Sequence, residues 1–490
     1  MLTRFAFRPY PTGWWGPGAT ERGLTMLGRH ALSRRRLAAS LVPFALVACG
    51  EAGASPPAVA PPATKPPAPS APTAAAAPTA APAPTAAVQA ATVQFYFGVA
   101  GPPEMLLYGK LKEGFEKAHD KYKLDLLPAD NETEKAIALI AAGTPPDVYW
   151  NRVRASQVFI RREALVDLLP YMKRDKISQE DFWPSAIEAY TYKGGYFGLP
   201  TSASSNAVYF NKHYFTALGL PLPTELEKQG KWTWDALLET AKKLTTTLQG
   251  KKVWGFRRPT GLTLTVQYMW QNGGTPFSDD RTQSLILSPE VISAEQWIAD
   301  LVLKHQVCAP VGDPEDSDNG FRVNGAVAME QAGRYALPAI AQAEKAGVID
   351  PGMVVAPAGP KNSKTRGDDL AASIFKSSKV LDAAWAYAVY WASEPGQLEV
   401  LRSNRSYTSR KSIAKNQAIL KTVLNPWEDG DAYFTGLERS VVFPVTPKFV
   451  PQVRDTFDRE EKLAHAGTKT VRSALETAHQ EISPMLKEPF

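Results

Sequence analysis

The order of strands and helices is clearest in residues 93–150, which read VQFYFGVAGPPEMLLYGKLKEGFEKAHDKYKLDLLPADNETEKAIALIAAGTPPDVYW. Val93–Phe97 is rich in side chains that favour strands. Apolar residues in Met105–Ala118 recur at every fourth position, which is typical of one buried helical face. A second alternating segment, a second apolar helix that ends before Gly143, and a third strand at 147–150 follow. This β-α-β-α-β order predicts an α/β fold with a largely parallel sheet.

Ligands of such sheets bind outside the carboxyl ends of the strands. Here these ends lie near Phe97–Gly101 and Trp150–Arg152. Further along the chain, clusters of Pro, Gly and Asn predict loops at Gly198–Pro200, Gln271–Gly274 and Glu394–Gly396.

The basic character of the chain belongs to its first residues. The 490 residues carry a formal net charge of +6, but residues 1–48 hold seven Arg and one acidic residue. The remainder contains 48 basic and 48 acidic residues. A chain that is neutral after removal of its leader is not expected to bind nucleic acid, which requires neutralisation of phosphates.

The leader resembles an export signal. Leu37–Ala48 is an apolar run of 12 residues behind Arg34–Arg36, and a bilayer span needs about 20. We therefore interpret residues 1–48 as a signal peptide. The small residues before Cys49 resemble the lipobox of bacterial lipoproteins, which implies a lipid on Cys49 and attachment to the outer face of the cytoplasmic membrane. Ser33–Leu37 also resembles a twin-arginine signal, so the export route stays open.

Residues 49–91 are predicted to form a tether. Between residues 51 and 90, 11 Pro and 17 Ala make up 28 of 40 positions. Such a segment has too few apolar side chains to offset the entropy of ordering, so it is expected to be extended or disordered. A ligand-binding site is then expected in the globular body, residues 92–490.

The sequence contains few motifs for disulfide, metal, cofactor or catalytic sites. Only Cys49 and Cys308 occur, so no disulfide framework is expected, and Cys308 is assigned to the core. Six scattered His without an i, i+4 pair predict no metal site. We find no glycine-rich nucleotide-binding motif and no nucleophile elbow, so no cofactor is predicted. These observations favour a binding protein over an enzyme.

Seven short motifs, in order, resemble the extracellular solute-binding proteins (family 1) of sugar uptake ABC transporters. They are Ala141–Val148 (AAGTPPDV), Glu163–Leu168 (EALVDL), Tyr196–Pro200 (YFGLP), Tyr209–Lys212 (YFNK), Trp232–Asp235 (WTWD), Trp270–Gly274 (WQNGG) and Ala328–Tyr335 (AMEQAGRY). The second motif departs from the family, because Glu163-Ala164 stands where the family has Gly. The resemblance covers nearly the whole body.

The resemblance implies a two-lobed fold of the periplasmic-binding-protein type II kind, with a hinge and a ligand cleft between the lobes. Crossing strands are expected near Pro200–Ser204, Pro351–Val355 and Ser403–Tyr407. Lobe I would comprise about 92–202 and 354–402, and lobe II about 203–353 and 403–490.

The function implied is that of a tethered lipoprotein that captures a carbohydrate, such as an oligosaccharide, and delivers it to the permease subunits of an ABC transporter. The protein would act as a monomer and perform no chemistry. The alternatives are a binding protein for glycerol phosphate, a polyamine or a peptide, an envelope glycan hydrolase, and a scaffolding lipoprotein.

A sugar site needs a flat aromatic ring for the C–H face and polar groups for the hydroxyls. The candidate ligand-binding residues are Phe97, Trp150, Asn151, Asn206, Trp270, Arg334 and Tyr335. Tyr335 stands where the family usually has a stacking Trp. Arg334 could pair with a carboxylate or phosphate, which keeps acidic sugars and sugar phosphates open. Trp385 and Trp391 lie on an apolar helical stripe and are assigned to the core.

Overall fold

A computed structural model describes residues 90–98, 101–130, 132–368, 370–446 and 452–488, without the side chains of 103 and 153–155. All of them fall in the second of the two units into which the chain divides, Ala77–Phe490. The predicted signal peptide, Cys49 and the tether up to residue 89 lie outside the described residues. Within the described ranges, no helix has the length and apolarity of a membrane span.

The elements follow in chain order. The first are β1 (Ala91–Gly98), α1 (Pro102–Ala118), β2 (Tyr122–Ala129), α2 (Glu132–Ala141), β3 (Val148–Arg152), α3 (Val153–Arg161), α4 (Leu169–Arg174), α5 (Pro184–Tyr190), β4 (Thr191–Tyr192), β5 (Gly195–Tyr196) and β6 (Leu199–Ser202). The middle of the chain forms β7 (Ala207–Asn211), α6 (Lys212–Leu218), α7 (Pro223–Lys228), α8 (Trp234–Leu244), β8 (Thr246–Leu248), β9 (Lys251–Val253), α9 (Leu262–Gln271), α10 (Pro289–Leu303), α11 (Asp318–Arg322), β10 (Met329–Ala332), α12 (Leu337–Lys345) and β11 (Pro351–Val355). The last are β12 (Thr365–Gly367), β13 (Leu370–Ile374), α13 (Leu381–Ala392), α14 (Glu394–Arg402), α15 (Lys411–Ala414), α16 (Gln417–Val423), α17 (Gly430–Glu438), β14 (Ser440–Val442), α18 (Arg454–His465) and α19 (Val471–Met485).

The larger sheet has five strands in the order β2-β1-β3-β13-β6. β1 pairs in parallel with both β2 and β3, so the predicted β-α-β-α-β unit is confirmed. β13 pairs with β3 in antiparallel orientation, and β6 pairs in antiparallel orientation with β13, so β6 runs in the same direction as β3. Leu107, Leu111 and Phe115 are buried on one face of α1, as their spacing predicts, and pack with the buried stripe of α13.

Two predicted loops are wrong. Leu199–Ser202 forms strand β6, although it contains Pro200. β6 is the last strand of the sheet order, and an edge strand tolerates the missing N–H of proline. Glu394–Gly396 opens helix α14, with Pro395 within its first two positions, where a missing N–H costs no helical hydrogen bond.

A second sheet, in the order β10-β7-β11, lies in the part of the chain after β6. Its strands are antiparallel and buried along their length. Cys308 is a free, buried cysteine in the core beside this sheet, as its apolar sequence context predicts. Helices α9, α10, α18 and α19 enclose a further apolar core.

Extended segments link the two sheets. Ala203 and Tyr407 form a two-way backbone bridge, with N···O distances of 3.0 and 2.7 Å. Ser205 is bridged to Gly367, so a third segment joins this crossing. Pro351–Val355, expected to cross, instead pairs with β7 along its whole length, and the chain enters the larger sheet only at β13. The chain therefore reaches the larger sheet about 15 residues after Val355, because β11 first completes the second sheet.

Candidate functional site

A cavity lies at the edge of the five-stranded sheet where β3 and β6 end. Its walls come from the first turns of α1, these strand ends, the segments that link the two sheets, and Tyr335 just beyond β10. The carboxyl ends of neighbouring parallel strands meet at one edge, so side chains distant in sequence converge there. We call this the Trp150 cavity. Its volume is about 100 Å³.

Aromatic rings form the floor of the Trp150 cavity. Tyr108 packs edge-on against Trp150, with ring centroids 6.3 Å apart, and against Trp391, with centroids 5.5 Å apart. Both indoles are at most 4% exposed. Tyr335 is 36% exposed and presents an accessible ring at the wall. The cavity thus offers an apolar floor and one ring on which a ligand can stack.

Four buried polar atoms in the cavity lining have no hydrogen-bond partner. They are Nε1 of Trp150, Nε1 of Trp391, Oε2 of Glu104 and Oγ of Ser202. A buried polar group without a partner costs about 1–3 kcal/mol. The set combines two N–H donors, a carboxylate acceptor and a hydroxyl that can do both. A ligand with several hydroxyl groups can satisfy all four.

The charged side chains of the lining are paired. Arg405 donates to Oε1 of Glu104, and Asp368 lies 3.2 Å from Arg366. Arg152 covers one face of Trp150 at 4.2 Å from the ring centroid and lies 3.5 Å from Glu132. Two arginines and two carboxylates line the cavity. Since each faces an opposite charge, the site carries little net field for a charged ligand.

Burial also fixes the protonation of the floor. Tyr108 is buried, and desolvation raises the pKa of its hydroxyl well above the ordinary value, with the neighbouring Arg152 opposing and Glu104 supporting the rise. The phenol therefore stays protonated at neutral pH and remains a hydrogen-bond donor.

Residues 110–426 match the family model described as bacterial extracellular solute-binding protein, which is more than half of the chain. The chain belongs to this family. Members of the family work outside the cytoplasm, and the family consists of binding proteins.

Curated relatives and solved structures agree with this assignment. This solute-binding protein is 26% identical over 313 residues to binding proteins of Brucella abortus (strain 2308) and Brucella suis biovar 1 (strain 1330), which covers 60% of this chain and 69% of each relative. The solved structures that resemble it include the ABC substrate-binding protein Lmo0181 of Listeria monocytogenes in complex with cycloalternan (23% identity, TM-score 0.67, 80% of this chain and 98% of that one). They also include the GacH receptor of Streptomyces glaucescens, solved unliganded and with acarbose (19% identity, TM-score 0.66, 81% of this chain and 99% of that one). At this identity the likeness shows the two-lobed fold.

Of the residues proposed from sequence in this solute-binding protein, Trp150 and Tyr335 line the Trp150 cavity. The structure does not bring Phe97, Asn151, Asn206, Trp270 or Arg334 to its surface. Phe97 and Asn151 lie just behind it. Phe97 packs under Tyr108 with ring centroids 4.3 Å apart, and Asn151 donates to Oγ of Ser373 at 3.0 Å. Neighbouring strand residues face opposite sides, so Trp150 and Asn151 cannot both face the cavity.

Asn206 and Trp270 are buried in other parts of the fold. Asn206 donates to Oε1 of Gln267 at 3.3 Å. Trp270, near the end of α9, packs in the helical core and borders a second cavity of about 310 Å³, together with Glu188 and Arg281. Trp270 belongs to the WQNGG motif, and Asn206 follows the first expected crossing, but neither side chain lines the Trp150 cavity.

Arg334 is held by protein groups on all sides. It pairs with Glu428 at 2.9 Å and donates to the carbonyls of Leu401 and Ser406 at 2.9 and 2.6 Å. It also donates to Oδ1 of Asn404 at 3.3 Å, and its side chain is 1% exposed. Every nitrogen of the guanidinium has a partner. Arg334 therefore joins the 3₁₀ turn Arg334–Ala336 to the segment around Ser406 and leaves no donor for an anionic ligand.

Sequence reasoning missed Glu104, Tyr108, Trp391 and Arg405 as lining residues. Trp391 is buried on its helical stripe, as predicted, but it also lines the cavity, and its indole N–H has no hydrogen-bond partner. Glu104 and Tyr108 are four residues apart on the buried face of α1. A carboxylate on an apolar helical face is a signal that the sequence did contain.

Proposed function

We propose that this chain is the extracytoplasmic substrate-binding component of a carbohydrate ABC transporter. The observation that carries the proposal is the Trp150 cavity, whose lining combines an aromatic floor with four buried polar atoms that have no hydrogen-bond partner. A sugar has the matching chemistry: an apolar C–H face and hydroxyls that both donate and accept. The similar solved structures are complexes with cycloalternan and acarbose, which supports a saccharide ligand.

The paired charges favour a neutral sugar over the other solutes. A phosphate needs arginines that are free to bind it, and Arg405 is already paired with Glu104. A polyamine needs several unpaired acids, and Asp368 is paired with Arg366. The acidic-sugar and sugar-phosphate options that Arg334 kept open lose their support, because that residue is enclosed by Glu428 and backbone carbonyls.

The proposed mechanism is hinge motion without chemistry. Ligand pockets usually have volumes of about 300–1,000 Å³, whereas the Trp150 cavity measures about 100 Å³. A sugar therefore needs the lobes to part, and its contacts with both lobes then favour a closed form that the permease recognises. We propose lobe boundaries at the crossings, with about 92–202 and 370–402 in lobe I and about 203–368 and 403–490 in lobe II.

The N-terminal part of the proposal concerns delivery. A lipid on Cys49 and the Pro- and Ala-rich tether would hold the binding body at the outer face of the cytoplasmic membrane, as a monomer within reach of its permease. We expect the protein to incorporate radiolabelled palmitate in cells and the Cys49→Ala variant to incorporate none.

Thermal unfolding against a ligand panel tests the function. The panel contains neutral mono- and oligosaccharides, polyols, sugar phosphates, polyamines and peptides. At 100 times its dissociation constant a ligand adds about 2.7 kcal/mol, so a neutral saccharide is expected to raise Tm by several degrees. Stabilisation by a phosphate, polyamine or peptide alone would move the assignment to that solute. Turnover of a stabilising glycan would contradict binding without chemistry.

A charge-neutralising substitution tests the ligand's charge. Glu104→Gln leaves Arg405 without its carboxylate, so the site gains a positive charge. We expect affinity for a glucuronic-acid-containing saccharide to rise by about tenfold and affinity for the neutral sugar to change less, measured by titration calorimetry. Glu399→Gln, which breaks the surface pair with Arg402, is the control and should alter neither affinity. Equal affinities in Glu104→Gln and the unaltered protein would remove this pair from the site.

A further inference from the structure

A second group of polar side chains is buried away from the Trp150 cavity, between α10 and α18. Glu295 lies on α10, and Glu461 and His465 are four residues apart on one face of α18. The three side chains are at most 4% exposed. One ligand atom from each lies within 4.8 Å of those of the other two.

Each of the three residues has one buried atom without a hydrogen-bond partner. These atoms are Oε1 of Glu295, Oε1 of Glu461 and Nε2 of His465. Oε2 of Glu461 accepts from the backbone N–H of Gly261 at 2.6 Å, and the Glu295 carboxylate is hydrogen-bonded by the side chain of Thr265. Oε2 of Glu295 lies 3.4 Å from Nε2 of His465, close enough for one ion to contact both. Three potential ligand atoms thus share one buried place.

The surroundings do not neutralise the two carboxylates. Arg258 approaches Nδ1 of His465 at 3.1 Å, but its charge is matched by Asp316 at 2.9 Å. Asp458, which accepts from the backbone of Leu262, adds further negative charge nearby. Desolvation raises the pKa of both Glu295 and Glu461 to about 8, which expresses the cost of leaving them ionised and uncompensated.

We propose that Glu295, Glu461 and His465 bind a divalent transition-metal ion of the Zn²⁺ or Mn²⁺ class. Two carboxylate oxygens and one imidazole nitrogen are a mixed O/N ligand set that such ions accept. Two positive charges cancel the two carboxylates without protons. Binding at Nε2 leaves the imidazole proton on Nδ1, so Arg258 withdraws from Nδ1 and keeps its bond to Asp316. The ion would join α10 to α18 and, through Gly261, to the start of α9, and would stabilise this helical core.

The test uses the full chain after treatment with a chelator. Titration calorimetry and thermal unfolding with ZnCl2 or MnCl2 alone, near pH 7, are expected to give one ion per chain and a Tm rise of several degrees. Glu461→Gln and Glu295→Gln should each weaken binding at least tenfold. Gln is neutral and nearly isosteric with a protonated Glu, so these variants are expected to fold. His213→Gln, an exposed histidine at the start of α6, is the control and should bind as before.

Three results would overturn the proposal. One is the absence of any stabilisation by either metal, and another is binding that survives in both Glu→Gln variants. The third is a free energy of unfolding that falls as the pH rises from about 5 to 8 and does not respond to metals, with a pH dependence that Glu461→Gln removes. That result would assign the charge balance to protons, since carboxyl groups with a raised folded-state pKa stabilise below it and lose that contribution above it.

Discussion

Replacing Tyr335 with alanine weakens sugar binding by about tenfold or more and leaves the fold nearly intact. Tyr335 has the most accessible ring of the Trp150 cavity and sits at its wall beside Arg322, whose guanidinium lies 5.8 Å from the ring centroid. Removing the ring deletes the stacking surface for the C–H face of the sugar. Because about a third of the side chain is exposed, the free energy of unfolding should fall by only about 1 kcal/mol. Titration calorimetry with the saccharide that raises Tm most measures the affinity.

Two further variants test whether the loss of affinity is specific to the ring of Tyr335. Tyr335→Phe keeps the ring and should retain the affinity within about threefold, since no protein group accepts from or donates to its hydroxyl in the described contacts. Tyr192→Ala removes a tyrosine of the β4–β5 hairpin that also contacts an arginine, Arg161, but lies outside the Trp150 cavity. It should bind the sugar normally. Full affinity in Tyr335→Ala would place the ligand elsewhere.

Replacing Arg334 with methionine lowers the free energy of unfolding by about 3–5 kcal/mol, the range for breaking one partner of a buried ion pair. Glu428 would keep its buried charge, with only Tyr433 at 2.9 Å and the Asn425 amide groups as partners. The carbonyls of Leu401 and Ser406 would lose the guanidinium as a donor, and Leu401 would keep the backbone N–H of Asn404 at 3.2 Å. Urea unfolding with linear extrapolation measures the change.

Two further variants test whether Arg334 stabilises the fold or binds the ligand. Arg402→Met breaks a pair with Glu399 that is half exposed on the arginine side, and it should cost less than about 1 kcal/mol. The double variant Arg334→Met/Glu428→Met should be less destabilised than the sum of the single variants, because no uncompensated charge remains. An Arg334→Met protein of unaltered stability that has lost affinity for an acidic sugar would instead return Arg334 to the ligand site.

The sequence predicts the part of this protein that depends on local pattern. Strand and helix periodicity is set by neighbours within a few residues, so the β-α-β-α-β unit and the buried stripes of α1 and α13 follow from it. The carboxyl edge of the sheet, and with it Trp150, follows from the same order of elements. The two wrong loops rest on proline, because Pro200 lies in an edge strand and Pro395 in the first turn of a helix, two places where proline is tolerated.

Ion pairs between residues that are distant in sequence could not be predicted from local pattern. Glu104 and Arg405 are 301 residues apart, and Arg334 and Glu428 are 94 apart. A single sequence shows an arginine but not whether a carboxylate will reach it after folding. The same limit hid the cluster on α18, because Glu461 and His465 are close in sequence but Glu295 is contributed by α10. Alternation along β3 could have separated Trp150 from Asn151 in advance.

The most direct measurement is a crystal structure of the protein with the neutral saccharide that gives the largest thermal shift. We expect the sugar to lie in the Trp150 cavity, with its ring against Tyr335 and its hydroxyls within hydrogen-bond distance of Nε1 of Trp150, Nε1 of Trp391 and Glu104. A sugar bound in the cavity beside Trp270, with none in the Trp150 cavity, would show that the Trp150 cavity is not the ligand site.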